Sequence, residues 1–184
     1  MLRFLVFFLI LNFYTTAHST PKEKIVLKLQ NTDILNFKFI QTINDKSENG
    51  NCIIKYPKKM FCSYDDLNKK IIVSNGESLV IKYRNSGSYY IYPLKKTPLE
   101  FLLDKNYLIS KINILKPTSI DNKYLRFKIF ENNNEINIFF DIDSYNLTGW
   151  QTEDIYQNLI ITFISSIKIN QKVDDDIFIL PKKD

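Results

Sequence analysis

The residue types best equipped for chemistry are scarce in this 184-residue chain. There is one histidine, His18, and the only cysteines are Cys52 and Cys62. Acidic side chains adjoin at Asp65-Asp66 and at Asp174-Asp175-Asp176. His18 falls in or at the edge of a segment that reads as an export leader, so the mature chain is expected to carry no histidine. Such a chain has no Ser–His or Cys–His nucleophile pair and lacks the commonest transition-metal ligand. Carboxylates alone could still support hydrolysis. Adjacent residues on a strand point to opposite faces, however, so the acidic runs read as solvated turns rather than acid–base dyads. The expectation is a protein that is not an enzyme and takes no metal or cofactor.

The cysteines are better placed for structure than for redox work. They lie in two short strand-like runs, Asn51–Lys55 and Met60–Tyr64, separated by Tyr56-Pro57-Lys58-Lys59. A hairpin centred on that segment sets Cys52 opposite Cys62, where cross-strand Cβ atoms are ~4.5–5.5 Å apart, near disulfide range. In an oxidising compartment the pair is expected to be bonded; the alternative is two buried thiols. Their spacing excludes a C-x-x-C redox motif.

The elements that must position these residues begin after a leader. Residues 1–19 read as a secretory signal: Arg3 is the charged start, Phe4 to Leu11 is unbroken apolar sequence, and Thr15 to Ser19 offers small residues for cleavage after Ala17 or Ser19. The apolar run is about half the ~20 residues needed to span a bilayer, though a retained anchor is the alternative. No cysteine follows it, so a lipid-modified signal is not expected. Residues 20–184 are expected to form a single domain.

Composition favours strands. The chain has 14 Phe, 11 Tyr and 27 Ile but a single Ala, which disfavours a helical bundle. Lysine supplies 22 of 25 cations, mostly in scattered pairs, and only Arg3, Arg84 and Arg126 offer a guanidinium fork. The net charge of +5 therefore reads as solubility, with no nucleic-acid partner expected.

An amphipathic helix is predicted over Pro21–Thr32, followed by a strand over Phe37–Ile43 and a polar turn from Asn44 to Gly50. Beyond the cysteine runs come Lys70–Ser74, the hairpin signal Asn75-Gly76, Ser78–Tyr83 and Tyr89–Leu94. Thr97-Pro98-Leu99-Glu100 has capping-box spacing, and Leu99, Phe101, Leu102 and Leu103 make the next turns of helix very apolar. Strands are predicted again at Ile109–Leu115, Tyr124–Phe130, Ile136–Ile142, Tyr145–Gln151, Leu159–Ile164 and Ile167–Ile169. A meander of this kind indicates an all-β sandwich or barrel.

The order of these pieces resembles the outer-membrane lipoprotein carrier family, the LolA-type proteins. Phe39-Ile40-Gln41-Thr42 is similar to the family's F-x-Q strand. Gly50, Lys55-Tyr56-Pro57, Met60–Tyr64 and the turn Ile71–Gly76 follow in the family order. Thr97-Pro98-Leu99 with Leu102-Leu103 resembles its lid helix, and Gly149-Trp150 and Ile177–Pro181 resemble its endings. The resemblance implies about eleven antiparallel strands in an incomplete barrel, with short helices closing a hydrophobic cavity for lipoprotein acyl chains. Phe37, Phe39, Tyr56, Met60, Ile81, Tyr92, Phe101, Leu102 and Trp150 are then the expected cavity residues. Where the family usually carries a basic residue before the proline, thought to latch the lid, this chain has Tyr56, and Lys55 points to the opposite face.

The implied function is that of a periplasmic chaperone, a monomer. It would take acylated lipoproteins from an inner-membrane lipoprotein-releasing ABC transporter to an outer-membrane acceptor. The alternative is a lipoprotein-sensing or lipid-binding envelope protein on the same half-barrel, either acceptor or regulator. An acceptor is normally lipid-anchored and a regulator usually has a second domain. A carboxylate-dependent hydrolase and a purely structural envelope protein are more distant readings.

Overall fold

The computed structural model describes residues 19–154 and 157–183. The predicted leader, Ser19 excepted, and His18 lie outside the described residues. After helix α1 (Pro21–Gln30), six strands follow one another as hairpins: β1 (Ile34–Ile43), β2 (Lys46–Lys55), β3 (Lys59–Tyr64), β4 (Lys70–Asn75), β5 (Ser78–Tyr83) and β6 (Tyr89–Pro93). Helices α2 (Leu99–Leu102) and α3 (Lys105–Ile114) then lead into a second meander. It comprises β7 (Thr118–Ile120), β8 (Tyr124–Glu131), β9 (Asn134–Asp141), β10 (Leu147–Glu153) and β11 (Leu159–Ile169).

β11 returns beside β1 and joins the two meanders into one eleven-stranded antiparallel sheet, ordered β6-β5-β4-β3-β2-β1-β11-β10-β9-β8-β7. β6 and β7 are its two edges and do not pair, so the barrel stays open. The segment from Leu94 to Pro117, which carries α2 and α3, connects one edge to the other. The lid helices are thus the crossover of an unclosed sheet. The edges themselves offer little to a stray strand, because β7 has three residues and β6 ends in Pro93.

Alternation decides which side chains enter the core. Leu35, Phe37 and Phe39 of β1 are buried, as are Cys52 and Ile54 of β2, Met60, Cys62 and Tyr64 of β3, and Ile136, Ile138 and Phe140 of β9. From the open side the core receives Ile25 and Leu29 of α1, Leu102 of α2, Leu103, and Leu108 and Ile112 of α3. A second, smaller apolar cluster lies on the outer face. Ile71, Val73 and Val80 are buried there, and Phe178, in a 3-10 turn (Asp175–Phe178), packs over β3 and β4. Lys55 and Lys59 reach the Asp175 carboxylate at 2.5 and 3.4 Å and hold its pKa below the usual range. The C-terminal segment is thereby fastened over the outer side of β3 and β4.

The cysteine prediction holds. β2 and β3 pair in the register that sets Cys52 opposite Cys62, and the two are joined with a Cα–Cα distance of 4.1 Å. Closing a loop of ten-residue separation removes unfolded-state entropy worth about 3 kcal/mol. The double variant Cys52→Ala/Cys62→Ala is expected to lose about 2–3 kcal/mol in urea unfolding. A loss below ~0.5 kcal/mol would contradict that account.

Several local expectations are corrected. Asn44 to Gly50 is mostly strand: Asn44 and Asp45 take φ of 47° and 63° and make the whole turn, and β2 begins at Lys46. The predicted strand Ile109–Leu115 is the C-terminal part of α3. Asp104 caps that helix by accepting from the Tyr107 N–H at 3.0 Å, and Leu108 and Ile112, four apart, face the core. Thr97 does not cap α2. Its hydroxyl donates to the Leu94 carbonyl at 2.9 Å, and the helix starts behind Pro98. Ile167–Ile169 continues β11 past a bulge at Ser166, where φ is 52°. β7 was not legible in the pattern.

Candidate functional site

Where α2 and α3 cross the open side of the sheet they cover a wholly apolar cavity. The sheet contributes Ile54, Tyr56, Met60, Ile138, Leu147 and Trp150, and the helices and their junction contribute Leu99, Leu102, Leu103 and Leu108. Its free volume is about 10 Å³, about the minimum that admits one water. The leucines of the lid occupy the space, so nothing the size of an acyl chain enters unless they move. A larger hollow of about 320 Å³ lies elsewhere, lined by Asp65, Asp66, Lys69, Lys70 and Arg84 among others. It is polar and open. Its buried cation, Lys70, is already engaged by the Glu48 carboxylate and lies 3.8 Å from the centre of the Tyr64 ring.

The lid is held unevenly. α3 is fixed along its length: Lys105 Nζ donates to the Thr32 carbonyl at 3.0 Å and to Asp33 Oδ1 at 2.7 Å. At mid-helix, Tyr107 Oη and Lys111 Nζ donate to Glu131 Oε2 at 2.9 and 2.8 Å. These two bonds hold the Glu131 carboxyl below its ordinary pKa, and burial together with the Glu131 contact raises the Tyr107 phenol. At the far end Lys22 of α1 caps the Asn113 and Leu115 carbonyls. α2 has one polar tether to the sheet among the described residues. Lys58, in the β2–β3 turn with φ 66°, donates its N–H to the Leu103 carbonyl at 2.7 Å. Its Nζ reaches Glu100 Oε1 at 2.5 Å and Asp104 Oδ2 at 3.9 Å. The Glu100 hydrogen bond is the main cause of the raised Lys58 pKa.

Partly exposed ion pairs contribute at most ~1 kcal/mol. Lys58→Met is therefore expected to speed amide exchange at Leu102 and Leu103 by up to about fivefold while α3 is unchanged. Equal acceleration in both helices would show that they move as one.

The model of the family "outer membrane lipoprotein carrier protein LolA" matches residues 30–180. The chain belongs to the LolA family. Among solved structures, this LolA-family chain is similar to a LolA superfamily protein from Nitrosomonas europaea, at 9% identity and TM-score 0.45, covering 87% of this chain and 98% of that one. It is similar also to an outer membrane lipoprotein-sorting protein domain from Vibrio parahaemolyticus, at 8% identity and TM-score 0.47, covering 85% and 95%. A third likeness is to a chain of the MucA/MucB complex of Pseudomonas aeruginosa, at 9% identity and TM-score 0.48, covering 89% and 62%. No curated protein matches the sequence.

Of the nine residues named from the LolA resemblance, Tyr56, Met60, Leu102 and Trp150 meet around the cavity. Phe37 supports it from behind, edge-on to Trp150 with centroids 6.0 Å apart. Phe39 packs on Tyr64 at 4.8 Å. Phe101 lies against Tyr107 of α3 at 5.0 Å and is not among the lining residues. Ile81 and Tyr92 sit half-buried near the β6 edge, opposite Ile72 and Leu79. The residues missed are Ile54, Leu99, Leu103, Leu108, Ile138 and Leu147. Ile54 could have been found, because the Cys52–Cys62 register places it opposite Met60. Leu108 was hidden by reading α3 as a strand. Burial raises the Tyr56 phenol well above its usual pKa, and Lys105 Nζ stands 6.0 Å from the centre of its ring. The basic group that tethers α2 is Lys58, on the other side of Pro57. Among the described residues no group of three or more His, Cys, Asp or Glu could hold a metal.

Proposed function

We propose that this chain is an exported, monomeric carrier that shields the acyl chains of lipoproteins beneath α2 on their way through the periplasm. It would receive them from an inner-membrane lipoprotein-releasing ABC transporter and pass them to an outer-membrane acceptor. The observation that carries the reading is the apolar cavity roofed by α2 and α3, of which the four-residue α2 has a single polar tether to the sheet among the described residues. The reading assigns no catalysis and no cofactor. Each acyl CH₂ moved from water into such a lining contributes about 0.8 kcal/mol. In the empty protein Leu99, Leu102 and Leu103 cover the same surface, so cargo must displace them and they compete for it when cargo leaves. That competition keeps affinity moderate, which a carrier needs.

The test uses the exported protein, with its N-terminus mapped, added to spheroplasts. Triacylated lipoprotein is expected in the supernatant in complex with it. If no lipoprotein leaves the membrane and no lipid co-purifies by mass spectrometry, the carrier reading fails.

A further inference from the structure

The outer face of the sheet is divided. Over β3 and β4 it is covered by the C-terminal segment, whereas over β1 and β8–β11 no described element lies on it. On the uncovered part the register aligns Ile40, Phe163, Gly149, Phe139 and Arg126 in one row across five strands. Gly149 has no side chain, and a Cβ there would collide with the Thr162 carbonyl oxygen. The rings of Phe139 and Phe163 therefore stack over it, with centroids 6.2 Å apart, and Tyr124 joins Phe163 at 6.2 Å. Roofing a glycine accounts for the stacking. It does not account for Ile40 standing 58% exposed and Phe163 45% exposed side by side.

Charge on this face is also asymmetric. Lys38 follows the same strand face as Ile40, Lys168 stands opposite Asn36, and Arg126 neighbours Phe139. None of the three makes an ion pair among the described residues, and Arg126 Nε is buried without a hydrogen-bond partner. The carboxylates nearby are occupied or distant. Glu135 is paired with Lys128 at 2.8 Å and also within electrostatic reach of Arg126, Asp141 accepts from the Ser144 N–H at 2.7 Å, and Glu153 lies at the far end of β10 beside Leu159.

We propose that this face rests on an anionic lipid surface, Phe163 and Ile40 entering the interface and Lys38, Arg126 and Lys168 meeting head-group phosphates. Aromatic and aliphatic side chains next to unpaired cations are the combination that binds such surfaces. A neutral partner would leave Lys38 and Lys168 without counter-charge. The cavity lies on the opposite face of the same sheet, so a docked molecule keeps its lid free to open. The inference stands apart from the carrier reading, since any envelope protein could use such a face.

The experiment is co-sedimentation of exported protein, its mapped N-terminus beyond residue 18, with vesicles of phosphatidylglycerol and phosphatidylethanolamine or of phosphatidylcholine alone. Binding is expected to the anionic vesicles only. It should collapse when ionic strength rises from about 0.1 to about 1 M, as the Debye length falls from ~10 to ~3 Å. Lys38→Gln with Lys168→Gln, both at exposed positions, should lower partitioning about 30-fold. Ile40→Ser with Phe163→Ser should lower it at least about tenfold, at unchanged circular dichroism. Leu102→Asp, which spoils the cavity, should leave it unchanged. The proposal is overturned by absence of binding, by binding indifferent to both double variants, by its loss in Leu102→Asp, or by a dimer in light scattering that Phe163→Ser dissolves.

Discussion

Leu102→Asp is expected to abolish acyl-chain binding while the sheet remains folded. Leu102 is the buried residue of α2 and faces Met60 and Trp150 across the cavity. Removing its side chain from the lining forfeits ~1.5–3 kcal/mol of apolar burial, and a carboxylate there must either be desolvated or drag α2 into water. Together these amount to a loss of at least about 100-fold in affinity for a fluorescent fatty acid. α2 has four residues and contributes nothing to the strand ladder, so the strand signal in circular dichroism should persist. Phe101→Asp is the informative companion. Its ring rests on Tyr107 outside the lining, so its effect on binding should be several-fold smaller. Equal losses in the two variants would mean that the whole lid, and not the cavity wall, determines affinity. Retained binding in Leu102→Asp would place the acyl chain elsewhere.

Gly50→Ala is expected to destabilise the fold by about 3 kcal/mol, at the upper end of overpacking costs, which for a chain of this size lowers Tm by roughly 6–12 °C. Gly50 is buried in β2 between Phe39 and Tyr64, its register partners on either side. Their rings meet edge-on at 4.8 Å over it. A Cβ would run into the Ser63 carbonyl oxygen and stand 2.9 Å from Phe39 Cζ. The carbonyl belongs to the ladder and cannot swing aside, so β2 and β3 must separate. Gly87→Ala provides the contrast: that glycine has φ of 70° and open space around it, so only left-handed strain of ~1 kcal/mol applies. Thermal unfolding of the two variants separates the mechanisms, and similar Tm values would refute the steric argument.

Much of the fold was legible because its signals are local. The Tyr56–Lys59 turn fixes the register that brings Cys52 to Cys62, and Gly76 with φ 104° opens the next hairpin where Asn75-Gly76 predicted it. The lid was half legible. A greasy stretch at Leu99–Leu103 among strands announced a covering element, yet Ile109–Leu115 reads equally as strand or helix. The capping carboxylate of Asp104 and the burial of Leu108 with Ile112 chose between them. The latch escaped because a side chain's direction at a turn depends on backbone dihedrals. Lys58 turns toward Glu100 through a left-handed φ that no spacing in the sequence announces.

What the sequence determined by itself is the chemistry and the alternation: few nucleophiles and ligands, one disulfide, β-branched and aromatic residues at period two, and an apolar helix near the middle. These are properties of residue types and of neighbours a few positions apart. Only the tertiary structure decided that β11 returns beside β1, that β6 and β7 stay apart, and that α2 and α3 bridge them over a collapsed cavity. It also decided that the outer face is covered by Phe178 over β3 and β4 while Ile40 and Phe163 are left in water. Both outcomes depend on contacts between residues some forty to more than a hundred positions apart, whose energies come from buried area and charge placement and leave no periodic mark in the chain.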